Sequence, residues 1–281
     1  MAEYISFQPS DYFNTVLYTG DGVAVGSGGQ AITGVGFQPD IVWVKQRSGT
    51  EKHDLCDAIR GTTKTLTPDD GAAEVTNAET LTAFGADGFT VGNSGSWNTN
   101  TSTYASWNWK ANGAGSANGD GATASTVSVD AARGISIVKW TGTSSITTVG
   151  HGLGAVPDMF ICKSLGSSDT WGTYHAAIGN TSAVWIDGNG AAYSHAAYFN
   201  NTSPTSSVFT VGTDGSVNAS QTMMAYCFTS ITGYSKFGGY TGNAAVDGTF
   251  IYTGFRPAFV IIKRYNTTGN WTLWDSKRLG Y

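Results

Sequence analysis

Charge is what this 281-residue chain has least of: only 12 % of its residues are Asp, Glu, Lys or Arg, about half the usual share. The fifteen basic residues form no run, and the net charge is −5. Neutralising phosphates needs clustered Lys and Arg, so nucleic acid is not expected as a partner. No apolar run approaches the roughly 20 residues that span a bilayer, so membrane insertion is not expected either. The start, Met1-Ala2-Glu3-Tyr4-Ile5, lacks the charged and apolar regions of a signal peptide, which points to synthesis in a cytoplasm without Sec-type export. Three cysteines, Cys56, Cys162 and Cys227, are odd in number and far apart. They give neither a disulfide framework nor metal-ligand spacing. Cys162 and Cys227 lie in apolar, strand-like runs, where a free thiol acts as a small hydrophobe.

Catalytic residue types are scarce too. The glutamates are Glu3, Glu51, Glu74 and Glu79, all in the first third of the chain. Many aspartates sit in turn-like sequence, such as Asp21-Gly22, Asp87-Gly88 and Asp187-Gly188, which turn chemistry explains without catalysis. A pair of carboxylates for glycoside hydrolysis is therefore not indicated. The four histidines, His53, His151, His175 and His195, form no His-Glu-x-x-His pair and no zinc spacing with cysteine. No Gly-x-Ser-x-Gly elbow occurs. The Asp187-Gly188-Asn189-Gly190 and Asn118-Gly119-Asp120-Gly121 stretches lack the ligand number of a calcium loop and read as turns. No cofactor, metal or catalytic residue is expected.

Glycine, by contrast, is abundant at 38 residues, and aromatics make up 12 %. A disordered chain would lack the aromatic and β-branched residues. Many short strands joined by Gly, Ser, Asn and Thr turns fit better.

One module recurs in tandem. Tyr18-Thr19-Gly20 precedes Gly36-Phe37-Gln38-Pro39 and a run ending at Lys45. Trp140-Thr141-Gly142 precedes Gly154-Ala155-Val156-Pro157 and a run ending at Lys163. Tyr240-Thr241-Gly242 precedes Gly254-Phe255-Arg256-Pro257 and a run ending at Lys263. The register then carries His53, Trp171 and Trp271 at one position, and Asp57, His175 and Asp275 at another. A second half recurs in the first two copies only. There Asp87-Gly88-Phe89-Thr90-Val91-Gly92 matches Ser207-Val208-Phe209-Thr210-Val211-Gly212, and Ala105-Ser106-Trp107 matches Ala225-Tyr226-Cys227.

The expected fold is all-β: tandem antiparallel β-sandwich modules, lectin-like or jelly-roll-like, with short helical insertions. The expected division is an N-terminal arm over 1–16, a first module over 17–110, and a Gly/Ala/Ser linker with a lead-in strand over 111–134. A second module follows over 135–232, then the first half of a third over 233–281. A lone half-module would leave an unpaired sheet edge near Tyr281, to be covered by further chain or by another subunit.

Within the module, Pro39, Pro157 and Pro257 suit strand entry, where a missing N–H costs nothing. Ile41, Trp43 and Lys45 fall on one face of the following strand and Val42 and Val44 on the other, so both faces are expected to be covered. Gly20, Gly142 and Gly242 suit a turn with positive φ. Each repeated lysine is expected to keep its ammonium in water and to blunt edge pairing; an anionic-ligand contact is the competing reading. Short helices are expected over Asp54–Arg60 and Ala72–Phe84. Trp97 and Trp185 lie in polar surroundings and are the candidate glycan-stacking platforms, whereas Trp171 and Trp271 hold a repeat-wide position that suits packing.

Phe7-Gln8-Pro9-Ser10-Asp11-Tyr12-Phe13-Asn14-Thr15-Val16, followed by the Thr-Gly and Gly-Phe-Gln-Pro-Asp elements, resembles an uncharacterised repeat domain of tailed-bacteriophage proteins from marine and cyanobacterial phages. Tyr234-Ser235-Lys236-Phe237-Gly238 extends the resemblance to the third copy. It implies a non-enzymatic virion protein, assembled in the host cytoplasm, of the tail fibre or host-attachment kind. A capsid decoration or head-fibre protein is the first alternative and a carbohydrate-binding lectin-like module the second. Expected partners are other virion proteins, copies of itself in a homo-oligomer, and a host surface glycan.

Overall fold

In a computed structural model the chain is described over residues 5–278. The N-terminal residues through Tyr4, and the edge at Tyr281, lie outside the described residues. Strand makes up 36 % and helix 8 %, all the pairing is antiparallel apart from one isolated parallel bridge, and the protein is all-β.

The first copy contributes β1 (Phe13–Thr19), β2 (Gln30–Ile32), β3 (Ile41–Gln46), β4 (Asp54–Asp57), β5 (Lys64–Thr65), β6 (Val75–Thr76), β7 (Leu81–Gly85), β8 (Gly88–Val91) and β9 (Thr103–Trp109). They form one sheet in the order β1-β9-β3-β4 and a second in the order β2-β8-β7, with β5 paired to β6. The next segment supplies β10 (Ser116–Asn118) and β11 (Ser125–Asp130). The second copy supplies β12 (Ile135–Thr141), β13 (Thr147–Gly150), β14 (Met159–Ser164), β15 (Gly172–His175), β16 (Ser182–Trp185), β17 (Tyr193–Ser194), β18 (Val208–Val211) and β19 (Thr222–Phe228). Its sheet order β12-β19-β14-β15 repeats that of the first copy, and β13 pairs with β18 as β2 pairs with β8. The third copy has β20 (Phe259–Ile262) paired with β21 (Thr272–Asp275).

Alternation along the central strands sends side chains into two different cores. Val42 and Val44 join Ile32, Phe89, Val91, Trp97 and Tyr104 in a cluster that links the two sheets of the first copy. Phe160 and Cys162 do the same in the second, with Val149, Phe209, Val217 and Met223. Ile41 and Trp43 point the other way, into a third cluster shared by all three copies: it holds Leu55 and Leu66, then Ile137, Ile161 and Tyr226, then Ile261 and Trp271. Each side chain fully buried in these clusters contributes about 1.5–3 kcal/mol. The two-sided burial expected of these strands is found after Pro39 and Pro157, while β20, only half-buried, still adds Ile261 to the core that holds the copies together.

Several expectations are corrected. Asp54–Arg60 and Ala72–Phe84 are not helical but carry β4, β6 and β7. All four residues of β4 are buried, including Asp54 and Asp57, so polar residues that suggested a helix surface are interior strand residues. The expected linker is not unstructured: β10 pairs with β11, and both extend the sheet of the second copy past β12. β11 falls where the lead-in strand is expected, and the Gly/Ala/Ser composition hides β10 because this outer strand has little apolar surface to bury. The expected arm likewise overlaps β1, which starts at Phe13.

The second-half alignment also shifts by one. Trp107 lies opposite Trp43, and Tyr226 lies opposite Ile161. Trp107 and Tyr226 are therefore the equivalent pair, rather than Trp107 and Cys227. A one-residue slip exchanges the two faces of a strand, so the correction puts both aromatic side chains toward the shared core.

The Thr-Gly glycines have a different reason from the one expected, since none of the three has positive φ. A Cβ on Gly20 would collide with the Thr99 carbonyl oxygen, and one on Gly142 with that of Ala219. Glycine is required there by close backbone approach. Gly242 has nothing near it.

Candidate functional site

Each repeated lysine folds back over the loop that follows its own strand. Lys45 Nζ donates to the carbonyls of Gln46 and Glu51, at 2.8 and 2.6 Å. Lys163 Nζ donates to Ser167 and Asp169, at 3.1 and 2.8 Å. Lys263 Nζ donates to Arg264 and Gly269, both at 2.8 Å. Two of the three also reach into the preceding copy. Lys163 donates to the Gly71 carbonyl at 3.0 Å, and Lys263 to that of Asn189 at 3.2 Å. Lys163 is completely buried, so its ammonium is not held in water, and burial holds its pKa below the ordinary lysine value. Carbonyl oxygens, not an anion, satisfy these cations.

A second contact repeats between copies. Trp171 Nε1 donates to the carbonyls of Thr67 and Asp70 in the first copy, at 3.2 and 3.0 Å. Trp271 Nε1 donates to the Trp185 carbonyl in the second, at 2.7 Å. A third contact involves the aspartates of the repeat. Asp57 takes hydrogen bonds from Arg60 Nε at 2.5 Å and from the Tyr226 hydroxyl at 2.7 Å. Asp275 takes them from Arg278 Nε at 2.5 Å and Trp107 Nε1 at 3.0 Å. The second copy has His175 at this position, with Nδ1 accepting the Ala177 N–H at 3.1 Å.

The two candidate stacking residues separate. Trp97 is fully buried, because the short α1 (Gly95–Asn98) turns its ring against Phe89; it cannot serve as an exposed platform. Its polar sequence neighbours mislead, since they face the loop while the indole faces the core. Trp185 is half-buried and lies beside Tyr193, with ring centroids 6.5 Å apart. Tyr193 is exposed and in turn stacks on the exposed His195 at 6.2 Å. The remaining repeat positions are structural: Pro39, Pro157 and Pro257 each stand just ahead of β3, β14 and β20.

A concavity of about 450 Å³ opens where the three copies meet. Trp43, His53 and Asp69 line it from the first copy, Asp187 from the second, and Asn270 and Trp271 from the third. Several of its polar groups are already engaged. His53 Nδ1 accepts the Trp43 indole N–H at 2.9 Å, which places the proton of the neutral ring on Nε2. Burial, helped by the charges of Lys45 and Arg278, lowers the pKa of this imidazole to about 4. Asp69 accepts the His53 backbone N–H, and Asp187 the Trp171 backbone N–H, both at 3.0 Å. Burial raises both carboxyls above the ordinary aspartate value, against the lowering effect of those backbone bonds. Sequence reading missed this pair, although each aspartate stands sixteen residues after the same repeat position. Among the described residues no group of three or more His, Cys, Asp or Glu could hold a metal ion.

The class this defines is an all-β protein whose repeated polar residues tie loops and copies to one another. Residues 8–281 match the family model described as a domain of unknown function (DUF7483), and the chain belongs to that family. No curated protein and no solved structure matches the chain.

Proposed function

We propose that this chain is a non-enzymatic virion structural protein of a tailed bacteriophage, of the tail fibre or host-attachment kind. Each repeat is a β-sandwich module, and three modules arranged in tandem share one central core. The observation that carries this reading is the recurrence of the same contacts at both module boundaries. Lys163 to Gly71 and Trp171 to Thr67 become Lys263 to Asn189 and Trp271 to Trp185. Repeated polar groups spent on carbonyls between modules make a rigid stacked body, which suits mechanical and display roles. The phage assignment draws on the sequence resemblance and on the low charge. Assembly as a symmetric homo-oligomer with other virion proteins follows from such a role. Antibody-labelled particles viewed by electron microscopy should carry label on the tail appendages. Label spread over the capsid lattice would refute the tail position and favour a decoration protein.

A host-surface glycan is the second reading, and the run of half-buried Trp185 with exposed Tyr193 and His195 favours it. Aromatic faces of this kind stack on apolar sugar faces. A glycan array probed with the intact chain should give hits that Trp185→Ala and Tyr193→Ala abolish. An array without hits would end that reading.

A further inference from the structure

In the first two copies a central strand, β9 or β19, lies between β3 and β1 or between β14 and β12. Among the described residues β20 pairs only with β21, so its other edge, the one that β9 and β19 take in their own sheets, is open. Three further observations mark the same vacant lane. Val42, Val44 and Cys162 are fully buried and Phe160 almost so, while their counterparts Val260 and Ile262 are only half-buried. The glycine that packs on Thr99 or Ala219 in the first two copies, Gly242 in the third, faces open space. Tyr240, Phe250 and Tyr252 are exposed at 45, 87 and 79 %, although Trp140, the counterpart of Tyr240, is 3 % exposed.

The shared cavity repeats the pattern. Its walls at Pro68–Asp69 and Ile186–Asp187 are the same loop of the first and second copies. Trp171 and Trp271 each donate to a carbonyl of such a loop, whereas His53, at the same repeat position, instead accepts the Trp43 indole N–H.

We infer that the third copy is a docking site for an added β-strand with the chemistry of β9 and β19, supplied in trans by a partner polypeptide. It runs antiparallel to β20 and is recognised by β-augmentation: main-chain hydrogen bonds give affinity and alternate side chains give specificity. A second folded copy cannot offer β9 or β19, because each is paired on both edges in its own sheet.

The register specifies one side chain of the occupant. Trp107 of the first copy donates to Asp275 of the third, and Tyr226 of the second donates to Asp57 of the first. The remaining place in this cycle pairs the incoming strand, at the position opposite Ile261, with His175. Because His175 Nδ1 accepts the Ala177 N–H, its Nε2 carries the proton and is a donor. The matching side chain must accept a hydrogen bond, which a tyrosine hydroxyl does and an indole N–H cannot.

The test uses the full chain and a synthetic peptide carrying the Thr222–Phe228 sequence between solubilising lysines, with Tyr226 at the specified position. Amide exchange at Val260–Ile262 should slow at least about tenfold at saturation, a gain of roughly 1.4 kcal/mol in protection. Val260→Asp in the chain, at a half-buried site, should abolish peptide binding while leaving the far-ultraviolet circular dichroism unchanged. Replacing the peptide tyrosine by tryptophan should weaken binding about fivefold or more. Absence of protection by the peptide overturns the inference, as does equal binding to the Val260→Asp chain or to the tryptophan peptide. Concentration-dependent protection of the same amides without peptide would make a second copy the occupant and overturn it too. None of these results depends on where in a particle the protein resides.

Discussion

Lys163→Met should destabilise the protein far more than Lys45→Met, although the two lysines hold one position of the repeat. Lys163 is completely buried and donates to three carbonyls, those of Gly71, Ser167 and Asp169, at 3.0, 3.1 and 2.8 Å. Lys45 is half-buried and donates to two. A hydrogen bond to a charged group is worth about 1.5–3 kcal/mol, so three give a gross loss of roughly 4–9 kcal/mol. Relief of the ammonium's desolvation returns several kcal/mol of that. Three carbonyls are then left without their donor in a site too small to admit water freely. A net cost of about 3–5 kcal/mol is expected for Lys163→Met. For Lys45→Met, whose carbonyls can turn to solvent, about 1 kcal/mol is expected. Urea unfolding followed by intrinsic fluorescence compares the two at pH 7. The Gly71 bond joins two copies, so Lys163→Met should also expose the loop around Asp70 to protease before global unfolding. Equal costs for the two variants would refute the claim that burial and the inter-copy bond set the value of this lysine.

Asp57→Ala should cost about 3–5 kcal/mol, because the Arg60 side chain is 1 % exposed and would lose its buried partner, keeping only the partly exposed Glu74; chemical denaturation measures it. Asp275→Ala should cost less, since the Arg278 side chain is 28 % exposed. Trp97→Ala should cost about 3–5 kcal/mol through the cavity it leaves and should not change any glycan binding; a lost glycan signal with unchanged stability would contradict its burial. His53 gives a pH prediction. Its folded pKa of about 4 lies below the unfolded 6.5, so the unfolded state binds the proton first. His53 therefore removes stability as pH falls from about 6.5 to 4, by up to about 3 kcal/mol. Asp54 acts oppositely: burial raises its pKa to about 6 from 3.8, so stability is lost as pH rises through that range. His53→Gln should remove the His53 share of the pH slope, so that the variant loses less stability than the parent chain between pH 7 and pH 4.5. Parallel pH profiles for the variant and the parent chain would refute this.

The repeat was legible in the sequence because its landmarks are backbone necessities. Proline enters a strand, glycine allows close approach, and alternating apolar residues fill two cores. Legibility failed where a residue type has two physical uses. Asp54 and Asp57 looked like a polar helix surface and are buried strand residues held by Ser96 and Arg60. Trp97 looked accessible because its neighbours are polar, and four residues of helix turn it inward. The strand at Ser116–Asn118 looked like linker because hydrogen bonds to β11, not apolar burial, define it.

By itself the sequence determined the all-β class, the recurring Gly-x-x-Pro strand with its lysine, and the two-sided burial after Pro39 and Pro157. These follow from dihedral limits and side-chain alternation, which are local. Only the tertiary structure decided that one face of that strand builds a core common to three copies, and that Lys163 and Trp171 reach carbonyls about a hundred residues away. It also set Trp107 and Tyr226 at one position. Those outcomes depend on strand register and on which carbonyls the packing leaves without partners, and neither is written in local sequence.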